Sequence, residues 1–425
     1  MTKHVLYRAL YFCVFCFYFP YLLCKRAVQG KSIRSLFEHL FPQEIHLEKT
    51  GPVIWAHAVS VGEVVAISPI LSELFRQKEN VQIILSTVTE TGFETAKKMV
   101  PRAVHVKFPF DFPYCVKKIL GDISPSLVLL SEGDVWPVFL EEMKQRKAQI
   151  VLINGKMSDR TFSWFQKFPS VGTWLYKDID HFCVQNVHMK KRWEYLKIRP
   201  ERIHVTGNTK TDTPPRALSQ EELDKLRSKL CIQESDHVVV LGSTHYPEEE
   251  KIITTLGPLL KTDPALKIIV VPRHPGRACE VCEILQRKAA PDPVELLSSG
   301  KKEWRILVVD ELGVLTSLYQ IATVAVVCGS FSERIGGHNI FESAIFGVPT
   351  IVGPYMHSQR TLFESALKNM AVIQIGYNDV RIVIGELLRN EEVHSECALK
   401  AKTWADSLRG ATDKTVQVVL GIEQK

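Results

Sequence analysis

The sequence has none of the features that mark a fibrous, disordered or disulfide-stapled chain. There is no collagen-type glycine period and no low-complexity tract. With 45% hydrophobic and 24% charged residues the composition is that of an ordinary globular protein. Staples are unnecessary at 425 residues, a length that predicts two or three domains of roughly 100 to 200 residues each. The ten cysteines are dispersed. Cys13 with Cys16 and Cys279 with Cys282 have C-x-x-C spacing, but neither pair has a histidine or a second pair nearby to complete a zinc site. Free, scattered thiols fit a reducing compartment. No G-x-G-x-x-G follows a strand-like run, which argues against a dinucleotide dehydrogenase. Gly30-Lys31-Ser32 resembles the tail of a P-loop, yet Lys25 stands where its first glycine belongs and no strand precedes it. Strong charge imbalance is also missing. Lys plus Arg number 53 against 47 Asp plus Glu, and the net +6 is too small to argue for nucleic acid while compatible with anionic lipid or phosphate-bearing substrates.

What is present begins at the amino end. Residues 9–24, ALYFCVFCFYFPYLLC, carry no charge, with Lys3 and Arg8 before them and Lys25, Arg26, Lys31 and Arg34 after. A bilayer-spanning helix needs about 20 apolar residues, so this shorter, proline-containing run reads as a short span, a tilted one, or an anchor lying in the interface. No small-x-small cleavage site follows, and the segment is read as uncleaved. The basic cluster after it favours a cytoplasmic location for the rest of the chain.

Beyond the anchor, short apolar β-rich runs alternate with helix-like patterns. The first series is PVIWAHAV (52–59), VQIILSTV (81–88), VHVKFPF (104–110), PSLVLLSE (125–132), AQIVLING (148–155), HFCVQN (181–186) and IHVTGN (203–208). Between the first two, Ile67, Ile70, Leu71, Leu74 and Phe75 form a helical stripe that Pro69 kinks without abolishing. A polar stretch, TDTPPRALSQ (211–220), ends in a capping-box start at Ser219 and Glu222 and reads as a linker. Alternation resumes with HVVVLGST (237–244), KIIVVPR (267–273), RILVVD (305–310), VAVVCGS (324–330) and PTIVGP (349–354), and the chain reads as helix from about residue 380. The fold class is therefore α/β, with two Rossmann-like domains, each a largely parallel, doubly covered sheet. The boundaries are an anchor with its basic flank at 1–34, a first domain at 35–210, the linker at 211–220, a second domain at 221–400, and a C-terminal helix at 401–425 packing back toward the first domain.

Open parallel sheets bind ligands at the carboxyl ends of their strands. Glu63 follows Gly62 at the first strand-to-helix turn, where its carboxylate either caps helix amides or faces the cleft as a general base. Glu132 ends the fourth strand before Trp136 and Pro137 and has the same choice, its alternative being to complement a helix dipole. Lys210 lies beyond the seventh strand, as an exposed lysine or as a cation for a leaving phosphate or a sugar carboxylate. In the second half, Arg273 and His274 sit between prolines as ordinary loop charges or as phosphate and base contacts. Gly336 and Gly337 permit close backbone approach, and a helix beginning near Asn339 would point free amides at a phosphate, with Glu342 placed to receive ribose hydroxyls. Asp178-Ile179-Asp180 has the D-x-D spacing of metal-dependent glycosyltransferases, but it precedes a strand and reads as a solvated turn. A cleft between two such domains suits group transfer from a phosphate-bearing donor.

These motifs, in this order, resemble the Kdo transferases, which add 3-deoxy-D-manno-octulosonic acid (Kdo) to the lipid A precursor. The resemblance covers essentially the whole chain and rests on residues 55–63 (WAHAVSVGE), 86–92 (STVTETG), Ser131 and Glu132 before Trp136 and Pro137, 207–210 (GNTK), 242–245 (GSTH), 272–275 (PRHP), and 336–339 (GGHN) with Glu342. It implies an inverting glycosyltransferase of GT-B architecture, two Rossmann-like domains facing across a cleft, with no metal and no cofactor. The donor would be CMP-Kdo, the acceptor an anionic lipid A precursor, and the location the cytoplasmic side of the inner membrane, among inner-membrane lipids and without nucleic acid. The family's catalytic base matches Glu63, and its transition-state stabilisers match Glu132 and Lys210. Contacts to CMP would fall on Arg273 and His274, on Leu312, Gly313 and Val314, and on Asn339, Ile340, Phe341 and Glu342. The chain departs from the family pattern in carrying Lys156 where arginine is common, Pro247 where glycine is common, Ile340 to Ser343 without the prolines many relatives have around the glutamate, and no acidic residue after Gly313. A nucleotide-sugar 2-epimerase of the same fold, or a non-catalytic sugar-nucleotide or lipid-binding protein, are the other readings.

Overall fold

The computed structural model describes residues 2–28, 33–45, 47, 51–289 and 291–423. The P-loop-like Gly30-Lys31-Ser32 lies outside them. Two compact units emerge, residues 1–213 with 408–425, and residues 214–407.

The first unit holds a seven-stranded parallel sheet: β1 (Val53–Ala58), β2 (Gln82–Thr87), β3 (Val104–Lys107), β4 (Leu127–Ser131), β5 (Gln149–Gly155), β6 (His181–Val184) and β7 (Ile203–Val205), in the order β3-β2-β1-β4-β5-β6-β7. Its strands are apolar without interruption because both faces are covered. Trp55, Ile84, Val128 and Leu130 pack into one core, while the alternating Ile54, Ala56, Leu85 and Leu129 pack into another on the opposite face. Each fully buried aliphatic side chain contributes about 1.5–3 kcal/mol. The helix after β1, Val61–Gln77, runs through Pro69 and buries Ile67, Ile70, Leu71 and Leu74 completely, as the sequence stripe predicts. The final helix, Ala411–Glu423, adds Val416 and Val419 to that same core. The chain is fastened there by Gly410 N donating to Asp212 (2.7 Å) and by the Thr211 hydroxyl donating to the Leu408 carbonyl (2.8 Å).

The second unit repeats the plan with β8 (His237–Thr244), β9 (Leu266–Pro272), β10 (Val294–Leu296), β11 (Ile306–Val308), β12 (Val324–Val327), β13 (Thr350–Val352) and β14 (Ile373–Gln374), all parallel, in the order β10-β11-β9-β8-β12-β13-β14. In the first sheet the strand order reverses between β1 and β4; in the second it reverses between β8 and β12 and again near the edge, where β11 is inserted between β9 and β10. Residues at the carboxyl ends of β1 and β4, and of β8 and β12, flank a natural ligand crevice within each unit.

Three local expectations change. Asp180 does not lie in a freely solvated turn, since its carboxylate accepts from Lys144 (2.8 Å) and from Ile150 N (2.8 Å) and pins the start of β5. The helix after Gly337 is one turn only, Phe341–Ala344, and Asn339 Oδ1 already accepts from Phe341 N (3.1 Å). The amino-terminal helix, which we label α1, is longer than the apolar run, Thr2–Val28, and continues through Pro20. Among the described residues it is the one helix long and apolar enough to cross a membrane.

Candidate active site

Glu63 sits in the first turn after β1, where extended Ser60 (φ −138°) starts the helix. Its side chain folds back so that Val59 N donates to Oε2 at 2.9 Å, with the Ser60 hydroxyl 3.5 Å from Oε1. The residue is 7% exposed. Burial raises its pKa to about 7 against the lowering effect of the Val59 amide, and the nearby Asp134 and Glu132 carboxylates raise it further. The Glu63 carboxylate thus accepts from the amide that precedes its own turn, and its pKa is raised toward neutrality.

Glu132 is held in the left-handed region (φ 66°), unusual for a residue with a Cβ. The backbone is fixed there by Glu132 N donating to Ile153 O (2.9 Å) and Lys156 N donating to Glu132 O (2.8 Å), bonds that join the end of β4 to the end of β5. Lys210 Nζ donates to Oε1 at 2.6 Å, Asn154 Nδ2 to the same oxygen at 3.4 Å, and Lys156 Nζ lies 2.5 Å from Oε2. Asn154 also accepts from Thr209 N (3.1 Å), which places the turn carrying Lys210. A Cβ on Gly62 would lie 3.5 Å from Lys210 Nζ, so the Glu63 turn and the Glu132–Lys210 pair share one site. Burial also raises the Asp134 pKa, with Glu132 adding to it and Lys156 opposing.

Behind these groups, Trp136 Nε1 donates to His57 Nε2 (3.1 Å), so the ring proton is on Nδ1 and is donated to Ser86 Oγ (2.9 Å). Ser86 donates in turn to the Ala56 carbonyl (3.1 Å) and accepts from Trp55 Nε1 (2.9 Å). Burial lowers the His57 pKa to about 3, so this network stays neutral and rigid beneath the loop that carries Glu132.

In the second unit, Arg273 N donates to Thr244 O (3.1 Å), setting the turn after β9 beside the end of β8. His245 and His338 stack (ring centroids 5.1 Å apart) with their Nε2 atoms at 2.8 Å, and His274 meets His245 edge-on at 6.2 Å. Burial lowers the His338 pKa to about 4 and also lowers that of His245, so the pair is neutral, one ring donating to the other. Glu342 accepts from Asn339 Nδ2 (3.1 Å); burial raises its pKa while Asn339 and the Arg273 charge oppose the rise. Arg273, His274, Asn339 and Glu342 are therefore brought into one region. Ile340 and Phe341 are buried beneath it. Leu312, Gly313 and Val314 form a turn in which Leu312 is largely exposed and Gly313 has φ 81°. That turn leads into the helix Leu315–Tyr319, whose last residue lies close enough to Glu342 for the carboxylate to raise the tyrosine pKa.

Two groups emerge only in three dimensions. Lys156 is read from the sequence merely as a substitution, yet it is the second cation on Glu132. Glu248, fully buried, accepts from His245 N (3.0 Å), Gly329 N (2.8 Å) and Phe331 N (3.0 Å), clipping the loop after β8 to the loop after β12. Among the described residues no cluster of three or more His, Cys, Asp or Glu side chains is arranged to hold a metal ion.

Two doubly covered parallel sheets, with carboxylate and cationic side chains at the carboxyl ends of their strands, place the chain in the two-Rossmann-domain GT-B fold class. Solved structures share this fold at 13% identity. One is a UDP-GlcNAc 2-epimerase from Neisseria meningitidis bound to UDP-GlcNAc (TM-score 0.61, covering 87% of this chain and 100% of that one), and another is a glycosyltransferase from Rickettsia africae (TM-score 0.58, covering 87% and 97%). Sequence comparison is more specific. Residues 34–213 match the family model described as 3-deoxy-D-manno-octulosonic-acid transferase (kdotransferase). The chain is 32% identical over 416 residues to the 3-deoxy-D-manno-octulosonic acid transferase of Chlamydophila psittaci, covering 96% of this chain and 95% of that protein. It is 27% identical to that of Haemophilus influenzae, covering 76% and 75%. The chain belongs to the Kdo transferase family and is a glycosyltransferase.

Proposed function

We propose that the chain moves Kdo from CMP-Kdo to a tetraacylated lipid A precursor at the cytoplasmic face of the inner membrane, with inversion and without a metal. In this reading Glu63 takes the proton from the attacking sugar hydroxyl of the acceptor. The hydroxyl oxygen bonds to the anomeric carbon as the carbon–oxygen bond to CMP breaks, and the electron pair leaves with the phosphate. One direct displacement inverts the centre. Glu132 and Lys210 stabilise the oxocarbenium-like transition state and the departing charge. Arg273, His274, the 312–314 turn and residues 339–342 hold the nucleotide, with Glu342 receiving the ribose hydroxyls. A nucleoside monophosphate leaving group carries less charge than a diphosphate, so positioned Lys and Arg side chains suffice where other transferases recruit a divalent ion.

The observation that carries the reading is Glu63, a buried carboxylate with a pKa of about 7 at the end of β1 in a chain of this family. The test is transfer from CMP-Kdo, generated in situ, to the tetraacylated precursor in EDTA, with products resolved by mass spectrometry. The expected result is one or more stepwise mass gains of a Kdo unit, their number giving the multiplicity of addition. No gain, with donor intact and protein folded, refutes the proposal.

A further inference from the structure

The amino-terminal helix α1 makes contacts with the first unit along its whole length. The positions that are not exposed, His4, Tyr7, Tyr11, Phe15, Phe19 and Arg26 among them, recur every three to four residues and so form a single face. At one end Arg8 pairs with Glu141 (2.7 Å) and His4 lies 3.3 Å from the same carboxylate. At that same end the Tyr7 hydroxyl donates to Asp111 Oδ2 (2.9 Å), and in the middle Phe15 packs edge-on to Phe110 and Phe112 at 5.1 and 5.0 Å. At the other end Phe19 meets Phe37 and Arg26 pairs with Glu90 (2.9 Å). Asp111 is 1% exposed and also accepts from Val138 N and Phe139 N, so it is part of the folded core that α1 covers.

The opposite face of the same helix is apolar and uncovered. Leu6, Leu10, Phe17 and Tyr21 are all exposed, Phe17 by 84%. A helix of this length extends about 40 Å. If it stood across a bilayer, its docked face would carry the first unit, with Asp111, Glu141 and Glu90, into the hydrocarbon, where unsolvated polar groups are prohibitively costly. Undocking instead would expose Asp111 and two phenylalanines. A helix lying flat avoids both penalties. Its charges complement an anionic surface: α1 contains no Asp or Glu, and while Arg8 and Arg26 pair with Glu141 and Glu90 of the first unit, Lys3 and Lys25 are exposed at its two ends.

We propose that α1 is an in-plane anchor, buried by its Leu6–Phe17–Tyr21 face in one leaflet of an anionic phospholipid bilayer, and that it does not span. The inference deepens the membrane location proposed above and is independent of the reaction catalysed. The test uses the full chain and vesicles of phosphatidylglycerol and phosphatidylcholine, with no donor or acceptor, so that a failed transfer assay and a failed binding assay remain distinct. Flotation should show binding that grows with the phosphatidylglycerol fraction and falls about tenfold or more for Phe17→Asp. Fluorophores placed singly at positions 6, 17 and 24, with the remaining exposed cysteines changed to serine, should be quenched by depth-graded lipids at one common shallow depth. Quenching deepest at 17, with 6 and 24 near opposite surfaces, would overturn the in-plane geometry in favour of a span. Absence of vesicle binding together with a lipid-free dimer that Phe17→Asp dissolves would assign the face to a second copy of the chain and overturn the membrane assignment.

Discussion

Lys210 Nζ donates to Glu132 Oε1 at 2.6 Å, joining the turn after the last strand of the first sheet to a left-handed residue at the end of its fourth. Lys156 holds the other carboxylate oxygen. Glu132 is thus a buried anion between two partly exposed cations, and removing one cation does not strand it. Lys210→Met is expected to lower kcat by about 10²–10³ while the melting temperature changes little. Lys156→Met, if Lys210 is the transition-state partner, should cost far less in kcat. Steady-state kinetics and thermal melts of both variants check this. A collapse in stability for Lys210→Met would show the pair to be structural.

Glu63 predicts a pH profile. Its carboxyl must be ionised to accept a proton, so kcat/KM should rise with pH and level off above about 7. Glu63→Gln should abolish that limb and cost roughly 10²–10⁴ in rate. The stability consequence has the opposite sense. A folded pKa above the ordinary glutamate value means that the folded state binds the proton more tightly, so this group's stabilising contribution is full below about pH 4.5 and is lost as pH rises through about 7. Glu63→Gln, which keeps an acceptor for Val59 N, should therefore melt higher than the parent at pH 8, with the gap closing by pH 5. Melts across that range decide it.

Much of this was legible in the sequence because an open parallel sheet advertises its strand ends. Glu63, Glu132 and Lys210 each follow an apolar run, and the structure gathers them at the carboxyl edge of one sheet. The partnership of Lys156 with Glu132 was not legible, since it depends on β4 lying beside β5 in register. Glu248 begins the run Glu248-Glu249-Glu250, which reads as a solvated first helical turn; its burial follows only from the close approach of the loop after β12. The docking face of α1 was hidden for another reason. Phe and Tyr occur all round the helix, so no single stripe stands out until the first unit supplies the partner for one of them.

Glu248 gives the sharpest separation of positioning from chemistry. Its Oε2 serves two backbone amides and its Oε1 a third, while burial raises its pKa to about 7 against those three bonds. Glu248→Ala would leave three buried N–H donors unpaired, each costing about 1–3 kcal/mol. Glu248→Gln keeps one acceptor oxygen but turns an amide donor toward one of the three. Both variants should melt below the parent at pH 8, the alanine lower. By releasing the backbone of His245 and of Gly329, both should weaken CMP binding measured by calorimetry, with no change in the pH limb assigned to Glu63. Unaltered CMP affinity in a folded Glu248→Gln protein would show that the clip between the loops after β8 and β12 serves stability alone.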